Sequence, residues 1–132
     1  LESRGMAKEK LEDYQGAIDD YSKIIEMEPK CGQAFYLRGK VKFKSEDYQG
    51  AIDDYTKAIE IIDFDFFFKC RADAKQKLKD YQGAIDDYTK AIEIRDDDFY
   101  HENHTDTKQV LEEYHYQLST VKKQLKDNKG AE

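Results

Sequence analysis

The stretch Asp13-Tyr14-Gln15-Gly16-Ala17-Ile18-Asp19-Asp20-Tyr21 recurs at residues 47–55 and again at residues 80–88. Tyr14 and Tyr48 are 34 residues apart, and Tyr48 and Tyr81 are 33 apart. A fixed period of this size marks a repeated supersecondary unit, and it settles the fold before any local reading. A second set of positions keeps step upstream of each copy: Leu1, Phe35 and Phe68; Arg4, Arg38 and Arg71; Gly5, Gly39 and Ala72; Lys8, Lys42 and Lys75.

Each unit reads as two helices. Ala17, Ile18, Tyr21, Ile24 and Ile25 fall at i, i+1, i+4, i+7 and i+8, one stripe of a helix and not the alternation of a strand. Asp13, Asp47 and Asp80 stand where a capping carboxylate would accept from the free amides that open the second helix. Pro29 closes that helix in the first unit, and Asp63 takes the role less decisively in the second. The small residues Gly5, Gly39 and Ala72 are expected opposite Ala17, Ala51 and Ala84, so that the two helices approach closely. A hairpin of this size cannot cover its own apolar stripe, so successive copies should stack into a solenoid.

Composition agrees. Charged residues make up 39% of the 132 residues and mean hydropathy is −0.97, values that on their own would suit disorder. Seven Phe and ten Tyr are too many for a chain unable to build a core. No apolar stretch is long enough to cross a bilayer, and no signal-peptide pattern is present. The chain starts at Leu1 and not at a methionine, so it reads as a piece of a longer one. Cys31 and Cys70 lack metal-type spacing and read as reduced thiols of a cytoplasmic protein. A net charge of −7 disfavours nucleic acid as the main partner.

Period, hairpin pattern and the aromatic, Gly, Ala, Tyr, Ala, Pro succession resemble the tetratricopeptide repeat family, and the wording Arg-Gly…Asp-Tyr-Gln-Gly-Ala-Ile-x-Asp-Tyr is similar to repeats of many bacterial members. The resemblance covers residues 1–98. It implies an all-α tetratricopeptide-repeat α-solenoid, a right-handed superhelix of antiparallel helix pairs, with repeats at 1–30, 31–64 and 65–98. Two departures recur: arginine where the family usually has leucine before the glycine, and lysine where it usually has tyrosine three residues later.

Residues 99–128 read as a degenerate fourth repeat acting as a C-terminal capping helix, with 129–132 as a tail. Phe99, Asp106, Lys108, Gln109, Leu111 and Tyr114 match Phe66, Asp73, Lys75, Gln76, Leu78 and Tyr81 at a shift of 33. Leu111, Tyr114, Leu118, Val121 and Leu125 continue an apolar stripe able to cover the third unit. Without a glycine or N-cap near Glu113, a single long helix is expected over a second hairpin.

Nothing in the chain points to catalysis. No phosphate-binding Gly-rich loop, nucleophile elbow or His–Cys pairing occurs, and no cofactor is implied. His101 and His104, with Glu102 between them, lack the i, i+4 spacing of a zinc-binding helix and read as surface residues. The pairs Asp19–Asp20, Asp53–Asp54 and Asp86–Asp87 occur once per repeat, as scaffold features do. Arg4, Arg38 and Arg71 repeat with them, which predicts a forked contact across each hairpin to Asp20, Asp54 and Asp87. The alternative is an arginine ladder that binds ligand.

Charge is divided by helix. Residues 33–45 and 66–79 each carry a net +4, whereas 12–29, 46–63 and 80–98 each carry −5. The resemblance implies that first helices line the concave groove and second helices the convex back. The groove slots it assigns are Gln33, Tyr36, Lys40, Phe43, Lys44, Phe66, Lys69, Asp73, Gln76 and Lys77. A helix is roughly 10 Å across and the Debye length about 8 Å, so a ligand there should feel the local base most. Bases interleaved with aromatics suit an acidic peptide or helix with an apolar anchor. The opposing reading is that these lysines neutralise acidic neighbours. In the cluster Phe64, Phe66, Phe67 and Phe68, Phe68 takes the core slot. The cluster as a whole is expected to be buried, with Phe66 the ring most able to stay outside.

Co-chaperone members of the family clamp a chaperone's carboxylate tail with lysine, asparagine and arginine. Those slots here hold Glu2, Met6, Leu37, Phe66 and Cys70, so that partner is not expected. The function expected is a protein-binding scaffold. Alternatives are a structural, self-associating segment of a longer array, or a weak RNA-binding repeat protein.

Overall fold

The structure, a computed structural model, describes residues 1–101 and 105–130, with side chains at 1–97 and 108–129. Among the described residues the chain is all helix: α1 (Glu2–Lys10), α2 (Tyr14–Met27), α3 (Gly32–Lys44), α4 (Tyr48–Ile61), α5 (Asp65–Lys77), α6 (Tyr81–His101) and α7 (Thr105–Gly130). They form two compact units, Leu1–Asp63 and Phe64–Glu132. The first holds the hairpins α1–α2 and α3–α4, with α2 packed on both α1 and α3. The second holds the hairpin α5–α6, against which α7 lies.

One turn is used three times. Asp13 N–H donates to Lys8 O at 2.8 Å and Glu12 N–H to Glu9 O at 3.0 Å, the pair of bonds that closes a helix when one residue turns left-handed. The left-handed residue is Glu12 (φ 61°), and Glu46 (67°) and Lys79 (63°) repeat it without a glycine. The next residue opens the second helix: Asp13, Asp47 and Asp80 accept through Oδ1 from the amides of Gly16, Gly50 and Gly83 at 3.0, 3.0 and 3.1 Å. A Cβ on Gly16 would lie 2.3 Å from Asp13 Oδ2, so the glycine of each Tyr-Gln-Gly triplet leaves room for the cap.

The stripe read from the sequence is the core. Ala17, Tyr21, Leu37 and Val41 are buried together in the first unit, with Tyr14, Ile18, Ile24 and Tyr36 packed around them. Ala72, Ala84, Tyr88 and Val121 do the same in the second, with Tyr81, Ile85 and Leu118. The small residues on the first helices have a partner other than the one expected. A Cβ on Gly5 would stand 2.7 Å from Tyr21 Cε1, and one on Gly39 2.9 Å from Tyr55 Cε1. It is the tyrosine ring of the second helix, more than its alanine, that needs the space.

The forked contacts are present in all three hairpins. Arg38 donates through Nε and Nη2 to the two carboxylate oxygens of Asp54 at 2.9 and 2.7 Å, Arg4 to Asp20 at 3.0 and 2.7 Å, and Arg71 to Asp87 at 2.8 and 2.7 Å. The repeated lysine joins each pair: Lys8, Lys42 and Lys75 stand 3.2, 3.1 and 3.0 Å from the same carboxylates. The hydrogen bond from Arg4 holds Asp20 at about 2, with Lys8 assisting, against the opposing effect of burial.

Two expectations need correction. The phenylalanine cluster is not buried as a whole: Phe67 and Phe68 are 4% and 8% exposed, but Phe64 is 42% exposed. Phe64, not Phe66, is the outermost ring because it precedes α5 in extended conformation (φ −113°, ψ 128°). Its ring then rests on Phe66 at 6.3 Å and edge-on to Phe67 at 5.2 Å. The third second-helix has no stop signal, and α6 runs on to His101. Beyond it α7 is one helix through Glu113, with Tyr114 and Val121 buried. The expectations for Phe99, His101, Glu102, His104 and Asp106 fall outside the described side chains.

Three outcomes follow for stability, each measured by urea or thermal unfolding. Glu46→Gly relieves a left-handed residue and raises stability by about 0.5–1 kcal/mol. Arg38→Ala leaves Asp54 buried beside Lys42 alone and costs about 2 kcal/mol; Arg4→Ala costs less, because its side chain is 54% exposed against 21% for Arg38. Asp20 has a depressed folded-state value, so its contribution is complete above the unfolded value of about 3.9. It is lost as pH falls towards about 2. Asp20→Asn should therefore flatten the acid limb of the stability profile between those values.

Candidate functional site

The side chains with functional potential lie on the first helices, and the two units present them separately. On the first unit, α3 carries Gln33 exposed and Tyr36, Lys40 and Phe43 half-buried, with Lys44 exposed. Lys40 Nζ stands over the Tyr36 ring, 5.8 Å from its centre, a cation–π distance. Phe43 meets Tyr48 edge-on at 5.2 Å, which ties it to the start of α4.

Both lysines also reach back to α1. Lys44 Nζ donates to Glu9 Oε1 at 2.5 Å and Lys40 Nζ lies 3.7 Å from the same oxygen. Glu9 is only 7% exposed. Met6, Glu9, Lys10, Lys40 and Lys44 line a shallow cavity of about 160 Å³ here. The base on this face is thus partly neutralised by an acid of the preceding first helix. Glu9 was missed in the sequence although its register was available: 34 residues on it becomes Phe43, and 33 further Gln76.

On the second unit Lys69 Nζ lies 5.6 Å from the centre of the Phe66 ring and 2.8 Å from Asp73. Burial pulls Lys69 down, but Asp73, with Cys70 and Glu113, outweighs it and leaves the amine raised. Asp73 also accepts a short hydrogen bond from the Tyr88 hydroxyl. Gln76 donates to Gln124 of α7 at 2.8 Å, while Lys77 is exposed. Asp73 and Gln76 are therefore committed to holding α5 against α6 and α7. Burial above all, then Asp73, holds the Tyr88 phenol above its usual range.

A second cavity, of about 260 Å³, opens beside this face. Phe64, Asp65, Phe66 and Lys69 of the α5 region, Arg95 of α6, and Val110, Glu113 and Tyr114 of α7 line it. Asp65 is 2% exposed and accepts through Oδ2 from the Tyr114 hydroxyl at 2.7 Å. Burial first, then Asp65, raises the Tyr114 phenol. Arg95 Nη1 stands 3.7 Å from Asp65 Oδ1. Of these residues the sequence had singled out Phe64, Phe66, Lys69 and Tyr114; Asp65 and Arg95 gave no periodic signal because neither belongs to the repeated set.

Leu37 is 4% exposed and Glu2 and Met6 face solvent, with Phe66 beside Lys69. The three repeated arginines are engaged by aspartates, and no group of three potential metal ligands occurs among the described residues. No helix there is long and apolar enough to cross a membrane.

Comparisons agree with the repeat geometry. The sequence profile described as tetratricopeptide repeat matches residues 1–31, 32–63 and 71–98. No curated protein sequence matches the chain. Among solved structures, the Sgt2 TPR domain from Aspergillus fumigatus is similar with a TM-score of 0.78 and 23% identity, covering 99% of this chain and 81% of that one. The first TPR of Spaghetti (RPAP3), bound to the HSP90 peptide SRMEEVD, gives 0.69 and 20% over 89% and 90%. PcrH, in complex with the chaperone binding region of PopD, gives 0.78 and 14% over 91% and 86%. At these identities the structures speak for the fold alone. With the family profile spanning most of the chain and the hairpin recurring in register, this all-α protein belongs to the tetratricopeptide repeat family.

Proposed function

We propose that the chain is a protein-interaction scaffold that receives a peptide or helix, acidic and with an apolar anchor, on the faces of its first helices. The observation that carries this is a ring and an amine placed together in both units: Lys40 over Tyr36, and Lys69 over Phe66. Such a couple offers a flat apolar contact beside a positive charge. Lys40 lies 3.7 Å from Glu9, which has Lys44 as its nearer partner at 2.5 Å, and the Lys69 ammonium has further donors beside its contact with Asp73, so a ligand carboxylate can engage either amine without stranding its acid. The Spaghetti and PcrH structures, each with a bound peptide or chaperone-binding region, support binding as the mode of action. A carboxylate clamp is no part of this reading, since Leu37 is buried where a polar clamp residue would stand. The compartment proposed is the cytoplasm, in keeping with the reduced thiols of Cys31 and Cys70. Catalysis has no supporting arrangement among the described residues.

Self-association is the second reading. It is favoured by the exposure of Leu1 (45%), Leu11 (81%) and Met27 (73%) on the first hairpin. Light scattering over a wide concentration range separates the two, since a strict monomer is expected on the binding reading.

The test uses dye-labelled acidic peptides that contain one aromatic residue, titrated against the full chain by fluorescence anisotropy. Reversing the charge would set new carboxylates against Glu9 and Asp73, so neutral replacements are the cleaner variants. Lys40→Gln with Lys69→Gln should weaken binding roughly tenfold, in line with two charge contacts of modest strength, and leave helicity unchanged. Equal binding by the double variant would remove the assignment of these faces.

A further inference from the structure

The shallow cavity on the first unit, between the C-terminal halves of α1 and α3, holds more positive charge than the protein itself meets. Lys10, Lys40 and Lys44 line it against the single carboxylate of Glu9, with Met6 as the apolar wall. Three amines and one carboxylate leave the cavity at +2 near neutral pH. Glu9 is 7% exposed, whereas the side chains of Lys40 and Lys44 are 33% and 48% exposed and Lys10 faces solvent, so the amines are open to a ligand. Lys44 donates to Glu9 Oε1 at 2.5 Å. Lys40 Nζ stands 3.7 Å from the same oxygen, beyond hydrogen-bond distance, and Lys10 has no acidic partner among the described residues. An ammonium has three donors, so most donors here are unused by the protein. Because Lys40 and Lys44 converge on one oxygen, a single anionic group beside Glu9 can touch both.

The charge selects among anions. One carboxylate would meet half of it. Two carboxylates from neighbouring peptide residues do not enter one small cavity together, because successive side chains point to opposite faces of an extended chain and about 100° apart on a helix. A phosphoryl group brings close to two negative charges on one centre at pH 7, with three acceptor oxygens for three amines. A shallow cavity of about 160 Å³ suits that group on a short side chain and has no depth for the ring of a phosphotyrosine. Met6, 41% exposed, gives the carbon next to the phosphate an apolar contact. A nucleic acid is disfavoured, since residues 12–29 and 46–63 of the same unit each carry −5 and would repel its further phosphates.

We propose that this cavity receives the phosphoryl group of a phosphoserine or phosphothreonine in the partner peptide, held by Lys10, Lys40 and Lys44. The proposal rests on the reading of the first-helix faces as peptide-binding, and it names a modification through which that peptide is recognised. Glu9 then serves to hold Lys44 in place from below.

Three dye-labelled peptides test it, each acidic, with one tyrosine and with serine, phosphoserine or glutamate at the same central position, titrated against the full chain by fluorescence anisotropy. The phosphoserine peptide should bind at least about fivefold more tightly than the glutamate peptide, as a second charge close to an ammonium provides. Lys10→Gln, at an exposed helix end, should remove most of that preference. Lys57→Gln, which takes one charge from an exposed pair with Glu60 on α4, should preserve it. Backbone amide resonances of residues 6–10 and 40–44 should shift with the phosphoserine peptide in a saturable way. Equal affinity for the phosphoserine and glutamate peptides, a preference that survives Lys10→Gln or falls equally in Lys57→Gln, absence of those shifts, or tighter binding of a single-stranded RNA of similar length would each overturn the site. If phosphoserine and glutamate peptides bind alike while both lose affinity in Lys40→Gln with Lys69→Gln, the broader reading stands and only the phosphoryl site falls. If the preference depends on Lys10 as expected but the serine peptide binds that double variant as well as it binds the native chain, the broader reading is the one that fails.

Discussion

A carboxylate buried between two helices stays charged only if the charge is met at both oxygens, and this protein meets it three times in the same way. Asp20, Asp54 and Asp87 are almost fully buried, and each receives a forked pair of hydrogen bonds from an arginine sixteen residues earlier. A lysine one turn further along the first helix approaches the same group. The planar guanidinium fixes direction as well as charge, so the register of the second helix against the first is set by this contact. Burial of one charge with two of opposite sign also explains why the arginine stands where a leucine would ordinarily serve. The guanidinium also stands over a neighbouring ring, Arg38 Cζ 5.6 Å from the centre of Phe35 and Arg71 Cζ 5.5 Å from that of Phe68.

The other local device is the turn, where one aspartate serves two helices. Its amide closes the first helix and its carboxylate opens the second. The residue before it is held left-handed without glycine, a cost met by the hydrogen bonds on both sides. With the turn fixed and the arginine fork fixed, little freedom is left within a hairpin. The tyrosine that follows the buried aspartate then fills the space opposite Gly5 or Gly39, where a side chain would collide with its ring.

The second unit departs from this pattern in ways that bear on function. Asp73 and Gln76 occupy positions assigned to a binding face, yet one accepts from Tyr88 and the other bonds to Gln124 of the long terminal helix. Asp65 holds Tyr114 of that helix. Polar residues of α5 thus secure the capping helix, and the space left above Asp65 is the cavity. On the first unit Lys40 stands at the position of Asp73, and Phe43 and Glu9 at that of Gln76, and with Lys44 the polar contacts run between two first helices.

The sequence by itself determined the helical hairpins, the capping aspartates and the partners of the three arginines. Each of these is set by residues at most about one period apart and is stated three times, so register alone could read them. The long α7 was legible from its stripe and from the lack of a turn signal at Glu113. The tertiary structure alone decided the ring that faces the small residue of each first helix, and which phenylalanine stays outside. It decided too that the lysines of α3 meet Glu9 and that Asp65, Arg95 and Tyr114 come together around a cavity. The last of these depends on side chains that occur once, brought together across 30 or 49 residues of chain, as with Arg95 and Tyr114 on Asp65. A repeated pattern records what every unit shares, whereas a binding site is made from the positions at which the units differ.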